Sequence, residues 1–168
     1  LANQQKLLPI LFEAVRKTPA AEENAALFAV TKQQVIGQVL NQTVRSAEFA
    51  DLYRKLRTAG LHPIIVKGQL CSRLYPLKDH RISADDDLYI PDAEFITCHE
   101  ALLANGLTTD TSVDELNTAD EVSYTKKGSP LYIELHRHLF DSSEDAHDEL
   151  NHFFADLKPV EIDGFLAM

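Results

Sequence analysis

The chain has 168 residues, 45% of them hydrophobic, which is enough for one domain with a sizeable core and argues against a disordered protein. Its formal charge of -10 disfavours extended nucleic acid as a partner, because such binding depends on lysine and arginine contacts to phosphates. No apolar run is long enough to span a bilayer, and Cys71 and Cys98 provide neither a disulfide framework nor a CxxC zinc pair. We therefore expect a reduced, cytoplasmic protein without a membrane partner.

Helical patterns fill the first 60 residues. Apolar residues recur at helical spacing in three successive stretches, residues 7–15, 18–30 and 36–59. Thr18 and Pro19 suit the N-cap and first turn of the second helix, and Gly60 suits the end of the third. We interpret residues 1–60 as a helical segment that packs against the rest of the chain.

Beyond Gly60, short strand patterns alternate with helical ones. Strands are predicted over residues 63–66, 86–90, 121–126, 131–136 and 160–162, and helices over residues 68–75, 91–105 and 144–157. Turn residues 127–130 join two of these strands as a hairpin. We therefore expect an α+β protein in which the helical segment at 1–60 and an α/β core at 61–168 form one compact unit. The apolar ending, residues 165–168, favours a chain that is truncated at its C-terminus.

Three consecutive acids, Asp85, Asp86 and Asp87, precede the strand-like Leu88-Tyr89-Ile90. Adjacent carboxylates repel one another unless a positive charge lies among them, and a divalent cation would supply that charge. Residues two apart on an extended segment point the same way, so Asp85 and Asp87 can contribute to one metal site. The alternative is that the acidic run only caps and solvates the start of a strand.

The predicted strand over residues 131–136 alternates with period two. Its aliphatic side chains face the core and the polar ones between them face the opposite side, with Leu131, Ile133 and Leu135 inward and Tyr132, Glu134 and His136 outward. An acid and a histidine therefore share the outward side of this strand.

Three motifs, taken in order, resemble an uncharacterised nucleotidyltransferase family of the DNA polymerase β-like superfamily. They are KGQLCSRLYP at 67–76, RISADDDLYI at 81–90 and IELHRHL at 133–139, and the resemblance covers roughly residues 50–165. The resemblance implies a mixed β-sheet flanked by helices. It also implies a metal-binding DxD pair with a third acid on a later strand, which places Asp85, Asp87 and Glu134 in those roles.

The implied reaction is the transfer of a nucleoside monophosphate from a nucleoside triphosphate to an acceptor that the sequence does not identify. Two Mg²⁺ ions, about 3.5 to 4 Å apart, would bridge the triphosphate, align the attacking hydroxyl and stabilise the pyrophosphate. Oxygen ligands from carboxylates suit Mg²⁺ or Mn²⁺ better than zinc.

Five further residues are candidates for nucleotide binding. Gly68 would let the backbone approach the phosphates, with its N–H at the start of a helix. Lys67 and Arg81 are the nearest cations for the triphosphate, and Ser83 could add a hydrogen bond. His136 would orient Glu134 or contact the substrate.

The first and second motifs depart from the superfamily pattern. Gly68 is followed by Gln69 where a glycine or serine is usual, and the residue between the two metal-binding acids is Asp86 where an apolar residue is usual. Because an unpaired buried carboxylate is costly, we expect Asp86 to lie in water or to pair with a base such as Arg81 or Lys78.

Two alternatives stay open at this point. His80, His136 and His138 could bind zinc together with an acid. The chain could also be a non-catalytic module that keeps the nucleotidyltransferase fold and acts through nucleotide binding or protein contacts. Cys71 and Cys98 lack the surroundings of a nucleophile, and we interpret both as packing residues.

Overall fold

The computed structural model describes residues 2–140, 147–155 and 158–167. Its helices are α1 (Leu8–Val15), α2 (Pro19–Glu23), α3 (Ala25–Thr58), α4 (Gln69–Ser72), α5 (Asp92–Ala104), α6 (Val113–Leu116) and α7 (His147–Ala155), with a 3-10 helix at Lys78–His80. Its strands are β1 (Ile64–Ile65), β2 (Asp86–Tyr89), β3 (Glu121–Thr125), β4 (Tyr132–His136), β5 (Val160–Ile162) and β6 (Phe165–Ala167). None of the described helices is long and apolar enough to cross a membrane.

The long helix α3 replaces two predicted helices. The break between helices falls at Asn24, and α3 then runs without interruption to Thr58, so the boundary predicted between residues 30 and 36 is wrong. The apolar residues of the two halves fall on different faces of this helix, because the two halves have different surroundings. Side chains of the second half, such as Phe49 and Leu56, are buried in the core, whereas Leu27 in the first half is exposed.

The strands form one mixed sheet in the order β3-β4-β2-β1-β6-β5. Strand β2 runs parallel to β4 and β1 runs parallel to β6, while the other neighbouring pairs are antiparallel. Strand β6 was not predicted, and neither were α6 and the 3-10 helix. The predicted α+β class, with a helical N-terminal part and a mixed sheet, is confirmed.

The core lies between the sheet and the helices α3 and α5. Its largest buried side chains include Phe49, Phe95, Tyr124, Ile133 and Leu135. The inward alternation predicted for β4 therefore holds, since Leu131, Ile133 and Leu135 are all buried.

Several predicted elements are found with shorter bounds. The hairpin strands appear as β3 and β4, and the helix predicted over 91–105 appears as α5. Helix α7 falls within the predicted range 144–157, of which residues 144–146 and 156–157 lie outside the described part of the chain. Cys98 is fully buried in the core, where burial raises the pKa of its thiol to about 12.

Candidate functional site

Acidic side chains from β2 and β4 converge on the outward face of the sheet. The two strands are parallel neighbours, and their register pairs Asp87 with Glu134. Paired residues project on the same face, so the two carboxylates approach each other. Potential ligand atoms of Asp87, Glu134 and His136 all lie within 4.8 Å of one another. We call these three residues the carboxylate-histidine group.

His136 belongs to this group itself. Its Nε2 lies 3.2 Å from Oδ1 of Asp87, and its Nδ1 lies 3.5 Å from Oε2 of Glu121. The sequence placed His136 on the same side of the strand as Glu134 and gave it a role in substrate contact or in orienting that acid, with zinc binding beside His80 and His138 as the alternative. In the structure, a ring nitrogen of His136 lies close enough to carboxylate oxygens of Asp87 and Glu134 for the three residues to bind one metal ion.

Lys67 connects Asp85 to Asp87. Its Nζ lies 3.0 Å from Oδ1 of Asp87 and 3.5 Å from Oδ2 of Asp85. Burial lowers the pKa of Lys67, but the hydrogen bond to Asp87 and the charges of nearby acids outweigh burial and raise the pKa above its ordinary value. Asp85 is outside the carboxylate-histidine group, and it is joined to that group through the charged ammonium of Lys67.

The carboxylate of Asp87 is held ionised. Burial raises the pKa of Asp87, but hydrogen bonds from His136 and Lys67 outweigh burial, so the pKa lies below its ordinary value. For Glu134 the direction is opposite, because burial and then the charge of Glu121 and other acids raise its pKa. The site thus concentrates negative charge that Lys67 alone does not offset.

These residues fit a divalent cation. Oδ2 of Asp87 is buried and has no hydrogen-bond partner among the described residues. A buried carboxylate oxygen without a donor costs free energy, and a cation bound there would remove that cost. Two carboxylates and one imidazole are suitable donors for Mn²⁺ and, through the oxygens, for Mg²⁺.

Asp86 is buried, and its partner is Arg45 on α3. The alternative that leaves Asp86 in water is wrong, because its side chain is 0% exposed. Asp86 does pair with a base, as the other alternative predicted, but that base is Arg45 and neither Arg81 nor Lys78. Nε of Arg45 donates to Oδ2 of Asp86 over 2.8 Å, and Nε2 of Gln69 donates to Oδ1 over 3.1 Å. Asp86 therefore faces the core side of β2, opposite to Asp87.

Arg45 is a site-supporting residue that the sequence analysis missed. Its guanidinium also donates to the backbone carbonyls of Ser83, Ala84 and Tyr132, so it contacts the segments that lead to both acidic strands. The signal was present in the sequence. Arg45 precedes Phe49 by four residues and therefore lies on the buried stripe of α3, where an arginine requires a buried acid as its partner.

Gly68, Arg81 and Ser83 surround the acidic run through backbone contacts. Nη1 of Arg81 donates to the carbonyl of Gly68 over 3.1 Å, and Oγ of Ser83 donates to the carbonyl of Asp85 over 2.8 Å. These bonds fix the segments on either side of the acids. Direct contacts of these residues with a triphosphate stay a prediction.

The three histidines of the zinc alternative do not come together. The carboxylate-histidine group is the one potential ligand group found among residues 2–140, 147–155 and 158–167, and it includes neither His80 nor His138. His138 instead lies 2.7 Å from Asp120 through Nδ1, and His80 lines a cavity beside α3.

Comparison with known proteins gives one match. A family model described as an uncharacterised nucleotidyltransferase matches residues 1–167, so the match includes the helical segment as well as the sheet. No curated protein and no solved structure matches the chain.

Proposed function

The chain belongs to this uncharacterised nucleotidyltransferase family, and from that premise we propose that it transfers a nucleoside monophosphate from a nucleoside triphosphate to an acceptor with the help of a divalent cation. The acceptor oxygen forms a bond to the α-phosphorus, and the bond from this phosphorus to the bridging β-oxygen breaks. Pyrophosphate leaves with the electron pair, and the proton of the acceptor is released to water.

The convergence of Asp87, Glu134 and His136 carries this proposal. These three residues, together with Asp85 across Lys67, would hold the cation. Mg²⁺ or Mn²⁺ bound there would offset the negative charge of the triphosphate and of the departing pyrophosphate.

Lys67 is a cation that contacts both Asp85 and Asp87. Its side chain is 52% exposed, so it can turn from the carboxylates towards solvent. We propose that it contacts the triphosphate once Asp85 and Asp87 bind a metal. Arg81, Ser83 and Gly68 keep the adjoining backbone in position, and their further contacts with the phosphates belong to the same proposal.

The test is calorimetric titration of the protein with each of the four nucleoside triphosphates, first with Mg²⁺ and then with chelator. We expect one triphosphate to bind only with metal, and both Asp85→Ala and Asp87→Ala to weaken binding by at least tenfold. Asp114→Ala is the matched control, because this aspartate is exposed on α6 outside the group.

A parallel Mn²⁺ titration followed by electron paramagnetic resonance measures the metal site without a nucleotide. Wild-type affinity for Mn²⁺ and for the triphosphate in both aspartate variants would overturn the proposal. Triphosphate binding that needs neither metal nor the aspartates would instead support the non-catalytic nucleotide-binding module.

A further inference from the structure

The candidate site is part of a row of side chains that crosses the sheet. The register pairs Ser123 of β3 with Glu134 of β4, and Glu134 with Asp87 of β2. On the other side of β2, the N–H of Val66 donates to the carbonyl of Asp87, which places Lys67 beside β1. Adjacent strands lie about 4.8 Å apart. Lys67 therefore marks one end of the row, Ser123 marks the other, and the carboxylates lie between them.

A cavity of about 170 Å³ opens at the Ser123 end. It is lined by four threonines together with Ser123, Tyr132 and Asp110. The hydroxyl of Tyr132 donates to Oγ of Ser123 over 3.0 Å. Since Ser123 lies directly opposite Glu134, the cavity begins one strand away from the carboxylate-histidine group.

The lining indicates which ligand would fit. Hydroxyl groups can donate and accept hydrogen bonds, and the carboxylate of Asp110 can accept two from neighbouring hydroxyls. No lysine or arginine is among the described residues that line the cavity, and Glu134 and Glu121 add negative charge nearby. An anionic ligand is therefore disfavoured, whereas a small hydroxyl-rich molecule is well matched. The volume is below the roughly 300 to 1,000 Å³ of pockets that enclose drug-sized ligands, so one small ring is the appropriate size.

The geometry of phosphoryl transfer indicates which end of the row faces the leaving group and which end faces the attacking hydroxyl. Attacking and leaving oxygens lie roughly in line on opposite sides of the phosphorus. The pyrophosphate leaving group needs positive charge, which Lys67 offers at its end. The attacking hydroxyl then comes from the opposite end, where the cavity is.

We propose that the cavity beside Ser123 binds the acceptor, and that the acceptor is an uncharged or amino-substituted sugar-like polyol. This proposal rests on the proposed function. A ring hydroxyl of the polyol forms the bond to the α-phosphorus, pyrophosphate leaves with the electron pair of the broken bond, and the hydroxyl proton goes to water.

The binding step can be tested without metal or nucleotide. Saturation-transfer NMR would be recorded on the protein with D-glucose, D-glucosamine, maltose and D-glucose 6-phosphate. We expect glucose or glucosamine to bind, and glucose 6-phosphate to bind at least tenfold more weakly. Binding of maltose as strong as that of glucose would identify a terminal sugar as the ligand, and weaker binding would identify a free monosaccharide.

Two aspartate variants, four residues apart in the chain, test whether sugar binds in this cavity. Asp110→Ala should weaken sugar binding by about tenfold, the effect of one hydrogen bond to a charged group, and Asp114→Ala should leave it unchanged. The proposal is overturned if neither glucose nor glucosamine binds, if Asp110→Ala binds sugar like the wild type, or if glucose 6-phosphate binds as well as glucose.

Triphosphate titrations separate this proposal from the proposed function. Metal-dependent triphosphate binding without any sugar binding would remove the acceptor assignment alone. Loss of triphosphate affinity in Asp110→Ala would show that the cavity holds part of the donor and would also overturn the acceptor assignment. Wild-type metal and triphosphate affinity in the Asp85 and Asp87 variants would remove the proposed function itself.

Discussion

Gly68 allows the backbone to pass directly against the acidic run. Its φ is +59°, and a Cβ placed there would lie 2.8 Å from Oδ1 of Asp86 and 3.3 Å from the carbonyl of Asp85. Both the conformation and the space therefore require glycine. The sequence pointed to Gly68 for approach to phosphates, and the structure adds a close contact with the protein's own acid.

Alanine substitution at two glycines would separate the cost of the close contact with Asp86 from the cost of the backbone conformation. Gly128 has a φ of +76° and nothing within 4 Å of a built Cβ, so Gly128→Ala should cost about 1 kcal/mol from backbone conformation alone. Gly68→Ala should cost about 3 kcal/mol, because Asp86 must also move away from its buried partners. Urea unfolding of both variants measures the difference. Equal costs would show that the close contact with Asp86 is unimportant for stability.

Helix α3 supports the site through one buried ion pair. Arg45 binds Asp86 on the strand that carries Asp87, and it also binds the carbonyl of Tyr132 on the strand that carries Glu134. Burial raises the pKa of Asp86, and the charge and hydrogen bond of Arg45 oppose that effect. Since one side chain contacts both strands, we propose that Arg45 positions the acids relative to each other.

A double-mutant cycle separates positioning from stability. Arg45→Met and Asp86→Leu should each cost about 3 to 5 kcal/mol, because each leaves one charge buried without a partner. The double variant should regain most of that stability, since it has no unpaired charge. Its Mn²⁺ affinity should still fall by roughly 10-fold or more, as expected when support of metal ligands is lost. Wild-type Mn²⁺ affinity in a stable double variant would refute the positioning role.

At the scale of the whole molecule, the helical segment and the sheet share one core. The hydroxyl of Tyr53 on α3 donates to the carbonyl of Pro63 and accepts from the N–H of Leu166 on β6. The ring centroid of Phe165 lies 5.9 Å from that of Phe49 and 5.0 Å from that of Tyr53. We propose that residues 1–60 and 61–168 fold as one unit, because separation would expose these rings and break the Arg45 ion pair.

Thermal unfolding tests whether residues 1–60 and 61–168 unfold together. We expect a single transition by both near- and far-ultraviolet circular dichroism, with a calorimetric enthalpy equal to the van't Hoff enthalpy. The helical segment supplies much of the far-ultraviolet signal, whereas the near-ultraviolet signal includes Tyr53, which lies between α3 and β6. Transitions that do not coincide in the two signals would contradict folding as one unit.

Local patterns in the sequence determined much of the architecture. The alternation of residues 131–136 predicted that Leu131, Ile133 and Leu135 are buried, and the motifs around Lys67, Asp85 and Glu134 predicted the family. Period-two and helical spacing are properties of neighbouring residues, so they can be recognised without the fold. The same spacing predicted that Asp85 and Asp87 share a side, and Lys67 does contact both.

Only the tertiary structure decided which distant residues meet. It paired Asp86 with Arg45, 41 residues earlier in the chain, and it aligned Ser123, Glu134 and Asp87 in one row. It also showed that the apolar residues 165–167 form a strand beside β1, and that His136 contacts Asp87. Sheet order and strand register are set by long-range hydrogen bonding and by burial of one face. These contacts leave no regular spacing along the chain, and so the sequence alone could supply the candidate residues but not their arrangement.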